Sequence, residues 1–404
     1  MRRQIAYEIL KEVLFNGRHA HLVLKGRQLD SQDQAFVSAL VYTTLQHSMN
    51  LDFQFSDLVD KNLPEEIKLI IKIGLAQHFK MDSIPDYAIV SESVDLAKKR
   101  GYTRYSGVVN KVLKVVIERG ERPLVGTVLK QASLQHSMPM WILNLLSKQY
   151  SETFALDYAA YCQEIKPAYV RLNTLKNTKV DDLLIEDKGD GVLVARPELF
   201  RSSFFLDGQG LIQDINSQKV VPYLNLELGN TVLDCCCGPG TKTVQIANEL
   251  NNTGAITGIE LHESRTSATE ELLERCDVMN TRVITSDVLD FETDTLFDRI
   301  LLDAPCSGLG VLSHKHDLRY HIYPEDLDDL VLLQKDMLDH VSKMLKVDGI
   351  MVYATCTLNK KENERQIKDF LENHDNYELI HEETCDPVAT GGDGFYIAQV
   401  KRTC

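Results

Sequence analysis

The chain has 404 residues, a length that indicates two or three domains rather than one. Its composition, 44% hydrophobic and 25% charged, is typical of a globular protein with a large core. No apolar run reaches the roughly 18 residues that a membrane-spanning helix needs, and the first residues lack the apolar core of a signal peptide. We therefore expect a cytoplasmic protein with no membrane partner.

The net charge of −15 is distributed unevenly along the chain. Residues 1–130 contain 19 Lys and Arg against 15 Asp and Glu, so the acidity lies in the remainder. A polyanionic partner is therefore compatible with the first part of the chain and disfavoured by the rest.

The nine cysteines do not have the pattern of a disulfide framework. Their number is odd, three are consecutive at 235–237, and the sequence contains no Cys-x-x-Cys pair. Three adjacent thiols cannot easily converge on one tetrahedral metal ion. We predict reduced, mostly buried cysteines and no metal site.

Residues 1–130 show the apolar spacing of amphipathic helices and predict an all-α domain. Pro64 and Pro85 each open a helical segment, and a further helix over 106–119 ends at Gly120. The run 98–105, Lys-Lys-Arg-Gly-Tyr-Thr-Arg-Tyr, interleaves basic and aromatic residues. It suits either phosphate and base binding or a solvated helix end.

Residues 131–210 mix short helical and strand patterns, and we interpret them as a linker subdomain. In residues 211–404, helical patterns alternate with apolar strands at 255–259, 282–285, 299–302 and 350–353. This alternation predicts an α/β domain with a doubly wound, mainly parallel sheet that helices cover on both faces. A last strand at 395–400 is expected to lie antiparallel at an edge.

The α/β domain is organised around one strand–turn–helix corner. Its strand covers 231–233, its turn contains Gly238, Pro239 and Gly240, and its helix starts at 241. Glycines let a ligand approach the backbone, and a helix N-terminus favours a carboxylate or phosphate. Glu260 follows the next strand, 20 residues after Gly240, where an acid that binds ribose hydroxyls is expected. The corner lacks the glycines of a P-loop or a full dinucleotide site, so it suits S-adenosylmethionine better than ATP or NAD.

Two further strands end in a cysteine, in Asp303-Ala-Pro-Cys306-Ser-Gly and Ala354-Thr-Cys356-Thr. Ligands bind beyond the carboxyl ends of such strands, so we expect both thiols and Asp303 to lie beside the cofactor. A thiol, an acid and a methyl donor suit methylation at C5 of a pyrimidine, because a thiolate that adds to C6 makes C5 nucleophilic. The base must then be single-stranded or flipped. This reasoning does not decide which thiol attacks.

The motifs resemble those of the Nol/Nop/Sun family of RNA cytosine-5 methyltransferases. The resemblance rests on residues 303–310, 353–357 and Cys236-Cys-Gly-Pro-Gly-Thr-Lys242, and residues 213–218 and 393–398 match as well. Residues 1–130 resemble a NusB-type RNA-binding domain. The combination is similar to the bacterial Sun (Fmu) branch of the family, which implies a cytosine of small-subunit (16S) ribosomal RNA as the substrate.

The resemblance also implies roles for individual residues. Cys356 is the expected nucleophile, Cys306 assists product release, and Asp303 contacts the pyrimidine and lies near the donor. Glu260 is expected to bind the ribose and Asp287 the adenine. The methionyl part is expected to bind to Cys236, Cys237, Gly238, Pro239, Gly240, Thr241 and Lys242. Of these, Cys237, Gly238 and Thr241 depart from the usual Cys-Ala-Ala-Pro-Gly-Gly-Lys sequence.

Three other interpretations remain open. A transfer-RNA cytosine-5 methyltransferase is disfavoured by the NusB-like front, and a non-catalytic RNA-binding assembly or antitermination factor is disfavoured by the intact acid and thiols. A thiol hydrolase needs a His paired with a Cys, and the sequence does not show that any His lies next to a Cys in the fold.

We interpret His314, His316 and His321 as contacts to RNA or solvent, because their spacing fits no compact metal site. We expect a monomer.

Overall fold

The structure, a computed structural model, describes residues 1–82, 84–176 and 181–404. The described residues form two compact units, one of residues 1–164 and 312–323 and one of residues 165–311 and 324–404. The expected domain boundaries at 130 and 210 do not coincide with this division. The helices that follow residue 128 belong to the first unit, whereas a small sheet before residue 212 belongs to the second. The three-part organisation remains a prediction.

The first unit is helical, as predicted for residues 1–130. Pro64 and Pro85 stand immediately before the first residues of their helices, where a missing N–H group removes no helical hydrogen bond. The apolar faces of α1, α3, α5, α6 and α7 form one core. The helices are α1 (Arg2–Asn16), α2 (Ala20–Lys25), α3 (Ser31–Gln46), α4 (Ser48–Phe55), α5 (Glu65–Lys80), α6 (Asp86–Lys99), α7 (Ser106–Arg119), α8 (Val128–Gln135), α9 (Met140–Gln149) and α10 (Glu152–Tyr161).

The basic and aromatic run 98–105 is used partly inside this unit. Arg100 pairs with Glu8, and its guanidinium lies 5.2 Å from the centre of the Tyr7 ring. Lys98, Lys99 and Arg104 are exposed. The run therefore offers three solvent-facing cations rather than the full cluster that the sequence contains.

The segment 312–323 contains the three histidines that we expected to meet RNA or solvent. His316 is buried, and its Nδ1 lies 3.2 Å from the carbonyl oxygen of Leu312. Burial, together with the nearby Arg319, lowers the pKa of His316 to about 3. The expectation of an exposed contact is wrong for this residue, because neighbouring parts of the same unit cover it.

The second unit begins with a small antiparallel sheet in the order β2-β3-β1-β4. Arg171 of β1 is buried, and it donates to the carbonyl of Thr241 at 2.9 Å and to the side chain of Asn248 at 2.7 Å. The small sheet is thereby joined to the helix of the corner. Its elements are β1 (Tyr169–Leu172), β2 (Ile185–Asp187), β3 (Leu193–Ala195), α11 (Ser203–Leu206) and β4 (Gly210–Ile212).

The main sheet has seven strands in the order β10-β11-β9-β8-β5-β6-β7. Strands β5 to β9 pair in parallel, as the alternation of strands and helices predicts. Its strands and the helices around them are α12 (Ile215–Gln218), β5 (Thr231–Asp234), α13 (Thr241–Leu250), β6 (Ala255–Glu260), α14 (Glu263–Arg275), β7 (Thr281–Thr285), β8 (Phe297–Asp303), α15 (Asp326–Val341), β9 (Leu345–Thr355), α16 (Glu364–Asn373), β10 (Tyr377–Cys385), α17 (Pro387–Thr390) and β11 (Phe395–Arg402).

The last strand is antiparallel, as predicted, but its expected position at an edge is wrong. Strand β11 lies between β9 and β10 and pairs antiparallel with both. Its first six residues are buried, which is typical of an inner strand. Strand β10 forms the edge instead. It was not predicted, because its Glu-rich sequence is typical of a polar surface segment rather than of a strand.

Successive residues of the central strands contribute to two separate cores. Leu233, Ile300 and Tyr353 pack with α15 and α16, whereas Val232, Leu301 and Val352 pack with α13. Helices therefore cover both faces of the sheet. Among the described residues, no helix is long and apolar enough to cross a membrane.

Candidate active site

The two cysteines predicted from the strand ends meet in the structure. Strands β8 and β9 are neighbours, and Asp303 pairs in register with Ala354. Cys306 and Cys356 follow these residues by three and two positions, so both leave the sheet at the same edge. Their Sγ atoms lie 3.3 Å apart, and both side chains are half-buried.

The contact between the two thiols affects their ionisation. The hydrogen bond between Cys306 and Cys356, together with burial, raises the pKa of Cys306 well above its ordinary value. Cys306 therefore retains its proton and can donate it towards Cys356. A thiolate is the nucleophilic form of cysteine, and the role of Cys356 as the attacking group stays a prediction of the family resemblance.

Asp303 is held by a buried lysine. Lys242 Nζ donates to Asp303 Oδ2 at 2.7 Å and lies 5.2 Å from the centre of the Phe395 ring. Burial alone would lower the pKa of Lys242, but the Asp303 carboxylate, with a smaller contribution from Cys356, raises it. Lys242 is therefore a fixed positive charge near both the acid and the expected nucleophile.

A buried carboxylate that sequence reasoning missed links the two cysteine loops. Glu362 is 0% exposed, and it accepts the N–H of Ser307 at 2.8 Å and the Ser307 hydroxyl at 2.6 Å. The Ser307 hydroxyl also lies 2.7 Å from that of Thr357, and Asn359 and Gln334 donate to Glu362 at 3.0 and 3.1 Å. Ser307 follows Cys306 and Thr357 follows Cys356, so the network sets the positions of both thiols.

Two glycines allow the loop that contains Gly394 to pack against the two loops that carry Cys306 and Cys356. A Cβ atom on Gly310 would lie 2.0 Å from the carbonyl oxygen of Gly394 and 2.8 Å from that of Cys356. The backbones are joined by hydrogen bonds from Gly310 N to Cys356 O at 3.0 Å and from Gly394 N to Gly310 O at 2.8 Å. A side chain at Gly310 would therefore prevent this contact.

The corner has the tight turn that its sequence predicts. Gly238 and Gly240 have φ of 54° and 86°, a backbone region that favours glycine. A Cβ at Gly238 would meet only the Cys236 carbonyl at 3.9 Å, so the backbone at this glycine is open to a ligand. Helix α13 begins at Thr241 directly after the turn, and Pro239 is exposed. The turn thus presents open backbone next to a helix N-terminus.

The three consecutive thiols of the corner have raised pKa values. Burial is the largest factor that raises the pKa of Cys235, Cys236 and Cys237, and nearby carboxylates raise it further. Cys237 is packed toward β6, since a Cβ on Gly258 would lie 3.4 Å from its Sγ. We assign these cysteines to packing of the corner. All nine cysteines are free thiols in the structure, and five of them are buried.

The two remaining predicted acids lie at or just after the carboxyl ends of neighbouring strands. Glu260 ends β6 and pairs in register with Thr285 of β7, two residues before Asp287. Glu260 is buried and accepts the His262 N–H at 3.0 Å. Asp287 is half-buried and accepts the Leu289 N–H at 2.9 Å. The sheet therefore brings the corner, both acids, Asp303 and both thiols to its carboxyl edge, as predicted.

Two segments of the chain match models of known protein families. Residues 221–401 match the model of the 16S rRNA methyltransferase RsmB/F family, and residues 1–118 match that of the NusB family. The probable ribosomal RNA small subunit methyltransferase B of Bacillus subtilis is 29% identical, with 93% of this chain and 89% of that protein covered.

Two solved structures are also similar. The crystal structure of PH0851 superposes with a TM-score of 0.82 at 18% identity and covers 100% of this chain and 99% of its own. A methyltransferase homologue from Pyrococcus horikoshii gives a TM-score of 0.61 at 26% identity, with 69% of this chain and 100% of its own covered. Together the comparisons confirm the family resemblance, the predicted fold class and S-adenosylmethionine as the cofactor of this kind of domain.

Proposed function

Because the chain joins a NusB-family segment to a segment of the 16S rRNA methyltransferase RsmB/F family, we propose that it methylates C5 of a cytosine in small-subunit (16S) ribosomal RNA. The observation that carries the proposal is the contact between Cys306 and Cys356, whose Sγ atoms lie 3.3 Å apart at the strand end that bears Asp303. A thiol pair beside a fixed acid and cation suits covalent activation of a pyrimidine.

The residues at the corner fit S-adenosylmethionine. The open backbone at Gly238 and the N-terminus of α13 suit the methionyl carboxylate, and Cys236, Cys237, Pro239, Gly240 and Thr241 shape this turn. The buried Glu260 suits the ribose hydroxyls, and Asp287, two residues after the end of the next strand, suits the adenine. The bound cofactor supplies an electrophilic methyl group.

Cys356 starts the reaction by adding its thiolate to C6 of the cytosine, and the electron pair of the C5–C6 bond moves to C5. C5 then takes the methyl group, so one C–C bond forms as the methyl–sulfonium bond breaks. A base removes the C5 proton, the C5–C6 double bond returns, and the thiolate of Cys356 leaves. The raised pKa of Cys306 keeps a proton on this thiol, which it can donate as the departing sulfur regains its charge.

Asp303 provides selection for cytosine. A carboxylate accepts a hydrogen bond from the exocyclic amino group of cytosine, whereas the carbonyl oxygen of uracil at that position offers no hydrogen. Lys242 holds Asp303 Oδ2 at 2.7 Å and so fixes the direction of the carboxylate. The target base must be unpaired or flipped out of a helix to reach this edge.

The proposal is tested with RNA that carries tritium at C5 of cytosine. Wild-type protein, Cys306→Ala, Cys356→Ala and the double variant are incubated with small-subunit RNA and S-adenosylmethionine, and Cys404→Ala serves as a thiol control because Cys404 is exposed at the end of the chain. We expect wild type and Cys404→Ala to release tritium. We expect Cys306→Ala to accumulate a protein–RNA adduct on a denaturing gel, and this adduct to be absent when Cys356 is also replaced.

Other outcomes identify the alternatives. Methyl transfer to transfer RNA instead of ribosomal RNA would identify the protein as a transfer-RNA methyltransferase. Binding of RNA without tritium release or adduct from any RNA would support a non-catalytic RNA-binding factor. An adduct in Cys356→Ala that requires Cys306 would reverse the roles of the two thiols.

A further inference from the structure

Three side chains of the first unit form a cluster of potential metal ligands that includes no residue of the candidate active site. His19 precedes α2, and Asp317 and His321 belong to the segment 312–323. Their potential ligand atoms all lie within 4.8 Å of one another. The spacing of histidines along the sequence did not suggest this site, because one ligand comes from a distant part of the chain.

Of the two ring nitrogens of His321, only one is engaged in a hydrogen bond within the described part of the chain. Nε2 of His321 lies 2.9 Å from the carbonyl oxygen of Val13. A carbonyl oxygen only accepts, so Nε2 carries the hydrogen and Nδ1 of the neutral ring has the lone pair. That Nδ1 atom is buried and has no hydrogen-bond partner. Histidines that bind metals commonly donate their second N–H to a backbone carbonyl in this way.

Asp317 supplies a negative charge to the same place. Its side chain is only 6% exposed, and the ion-pair partner that the described residues give it is His19, with Nδ1 3.4 Å from Asp317 Oδ2. The same oxygen accepts the Ala20 N–H at 3.2 Å, which leaves further lone pairs on the carboxylate. A buried carboxylate requires a compensating charge, and a cation bound to it provides one.

We propose that His19, Asp317 and His321 bind one Zn²⁺ ion in the first unit. Two imidazole nitrogens and one carboxylate oxygen form a donor set that suits Zn²⁺, whereas Mg²⁺ and Ca²⁺ prefer oxygen ligands alone. Tetrahedral bonds of about 2.0–2.1 Å place ligand atoms roughly 3.3 Å apart, which is close to the present separation of His19 Nδ1 and Asp317 Oδ2. His19 is 45% exposed and can close on the ion, and a water molecule completes the tetrahedron.

The ion would have a structural role. Its ligands come from the α1–α2 connection and from the segment 312–323, which are separated by almost 300 residues of chain, as the sequence separation of 298 between His19 and Asp317 shows. Binding therefore fixes this segment onto the helices of the first unit. Since the ion interacts with the folded unit and not with an unfolded chain, it raises the stability of that unit.

Metal binding to the full chain tests the proposal directly. The protein is stripped with a chelator and titrated with Zn²⁺ against a competing indicator, and bound Co²⁺ reports the donor atoms by its visible absorption. We expect one Zn²⁺ per chain, a tetrahedral Co²⁺ spectrum without sulfur charge-transfer bands, and a Zn²⁺-dependent rise in Tm. We expect His321→Ala and His19→Ala each to weaken Zn²⁺ binding by about 100-fold.

His78→Ala is the matched control, because Nδ1 of His78 lies 2.7 Å from Asp86 in a His–Asp pair that no third ligand joins among the described residues. This variant should bind Zn²⁺ like wild type. Circular dichroism of the metal-free variants verifies their fold, and the half-exposed His19 provides a variant that tolerates replacement if His321→Ala does not fold. Absence of Zn²⁺ binding, unchanged binding by His19→Ala, or sulfur bands in the Co²⁺ spectrum would overturn the proposal.

Discussion

The carboxylate of Glu362 accepts the backbone N–H of Ser307 at 2.8 Å and thereby joins the residue after Cys306 to the loop that follows Cys356. The distance between the two thiols thus depends on Glu362, which lies outside both cysteine motifs. The proposed roles of these thiols, whose Sγ atoms lie 3.3 Å apart, require this kind of fixed support, because small displacements of reacting groups have large effects on rate.

Replacement of Glu362 by Gln should lower kcat without unfolding the protein. The amide of Gln places an N–H group among Ser307, Asn359 and Gln334, which already donate to this position, so at least one buried donor loses its acceptor. We expect about 2 kcal/mol lower stability and about 100-fold lower kcat. Methyl-transfer kinetics and urea unfolding measure the two effects. Glu372→Gln is the control, since Glu372 is 63% exposed on the next helix; equal losses in both variants would contradict the role of Glu362.

Gly310→Ala should be strongly destabilising, whereas Gly107→Ala should not. A Cβ on Gly310 would overlap the Gly394 carbonyl at 2.0 Å, while a Cβ on Gly107 of α7 has no neighbour within 4 Å. We expect a loss of about 3 kcal/mol for the first variant and a change within about 0.5 kcal/mol, on the stabilising side, for the second. Denaturant unfolding of both proteins gives the comparison. Similar free energies of unfolding for the two variants would mean that the loops of Gly310, Cys356 and Gly394 do not pack as closely as the structure shows.

The strand ends of the site could be predicted from sequence because their signals are local. An apolar run followed by Asp303 or by Thr355 and Cys356 identifies a strand and the residues at its carboxyl end, and the sheet order then brings them together. The inner position of β11 was not predictable in this way. Whether a strand lies inside or at an edge depends on β10, whose polar sequence gives no strand signal.

Glu362 could not be identified from the sequence for a different reason. It follows two lysines and precedes an asparagine, a pattern that usually indicates an exposed helix start. Its complete burial arises only where the loops of Ser307 and Thr357 meet it in three dimensions. His19 could not be identified from the sequence either, because it comes close to Asp317 only in the folded unit.

Asp298 should stabilise the second unit in a pH-dependent way. Burial acts to raise its pKa, but hydrogen bonds from Lys346 and Thr231 lower the pKa to about 2 from the ordinary 3.8. The stabilisation is therefore complete above about pH 4 and is lost as pH falls through 2. We expect Asp298→Asn to be about 1–2 kcal/mol less stable than wild type at pH 7, with a smaller difference at pH 3.

Urea unfolding at pH 7, 5, 4 and 3 tests this dependence on Asp298. Asp348→Asn is the control, because Asp348 is 76% exposed although its carboxylate lies 2.8 Å from Lys401. An exposed ion pair contributes little, so this variant should match wild type at every pH. A constant difference between Asp298→Asn and wild type down to pH 3 would show that the carboxylate is not held in its charged form.

The thiol pair should also make the enzyme sensitive to oxidation. Diamide can accept two hydrogen atoms from Cys306 and Cys356, which then form one S–S bond, and a contraction from 3.3 Å to about 2.05 Å is needed. We expect diamide to abolish methyl transfer by wild type and dithiothreitol to restore it. Peptide mass spectrometry should find the two cysteines linked with a loss of about 2 Da, and the corresponding linked peptide should be absent from Cys306→Ala. Reversible inactivation with a link among Cys235, Cys236 and Cys237 instead would assign the sensitivity to the corner, which the raised pKa values of those thiols argue against.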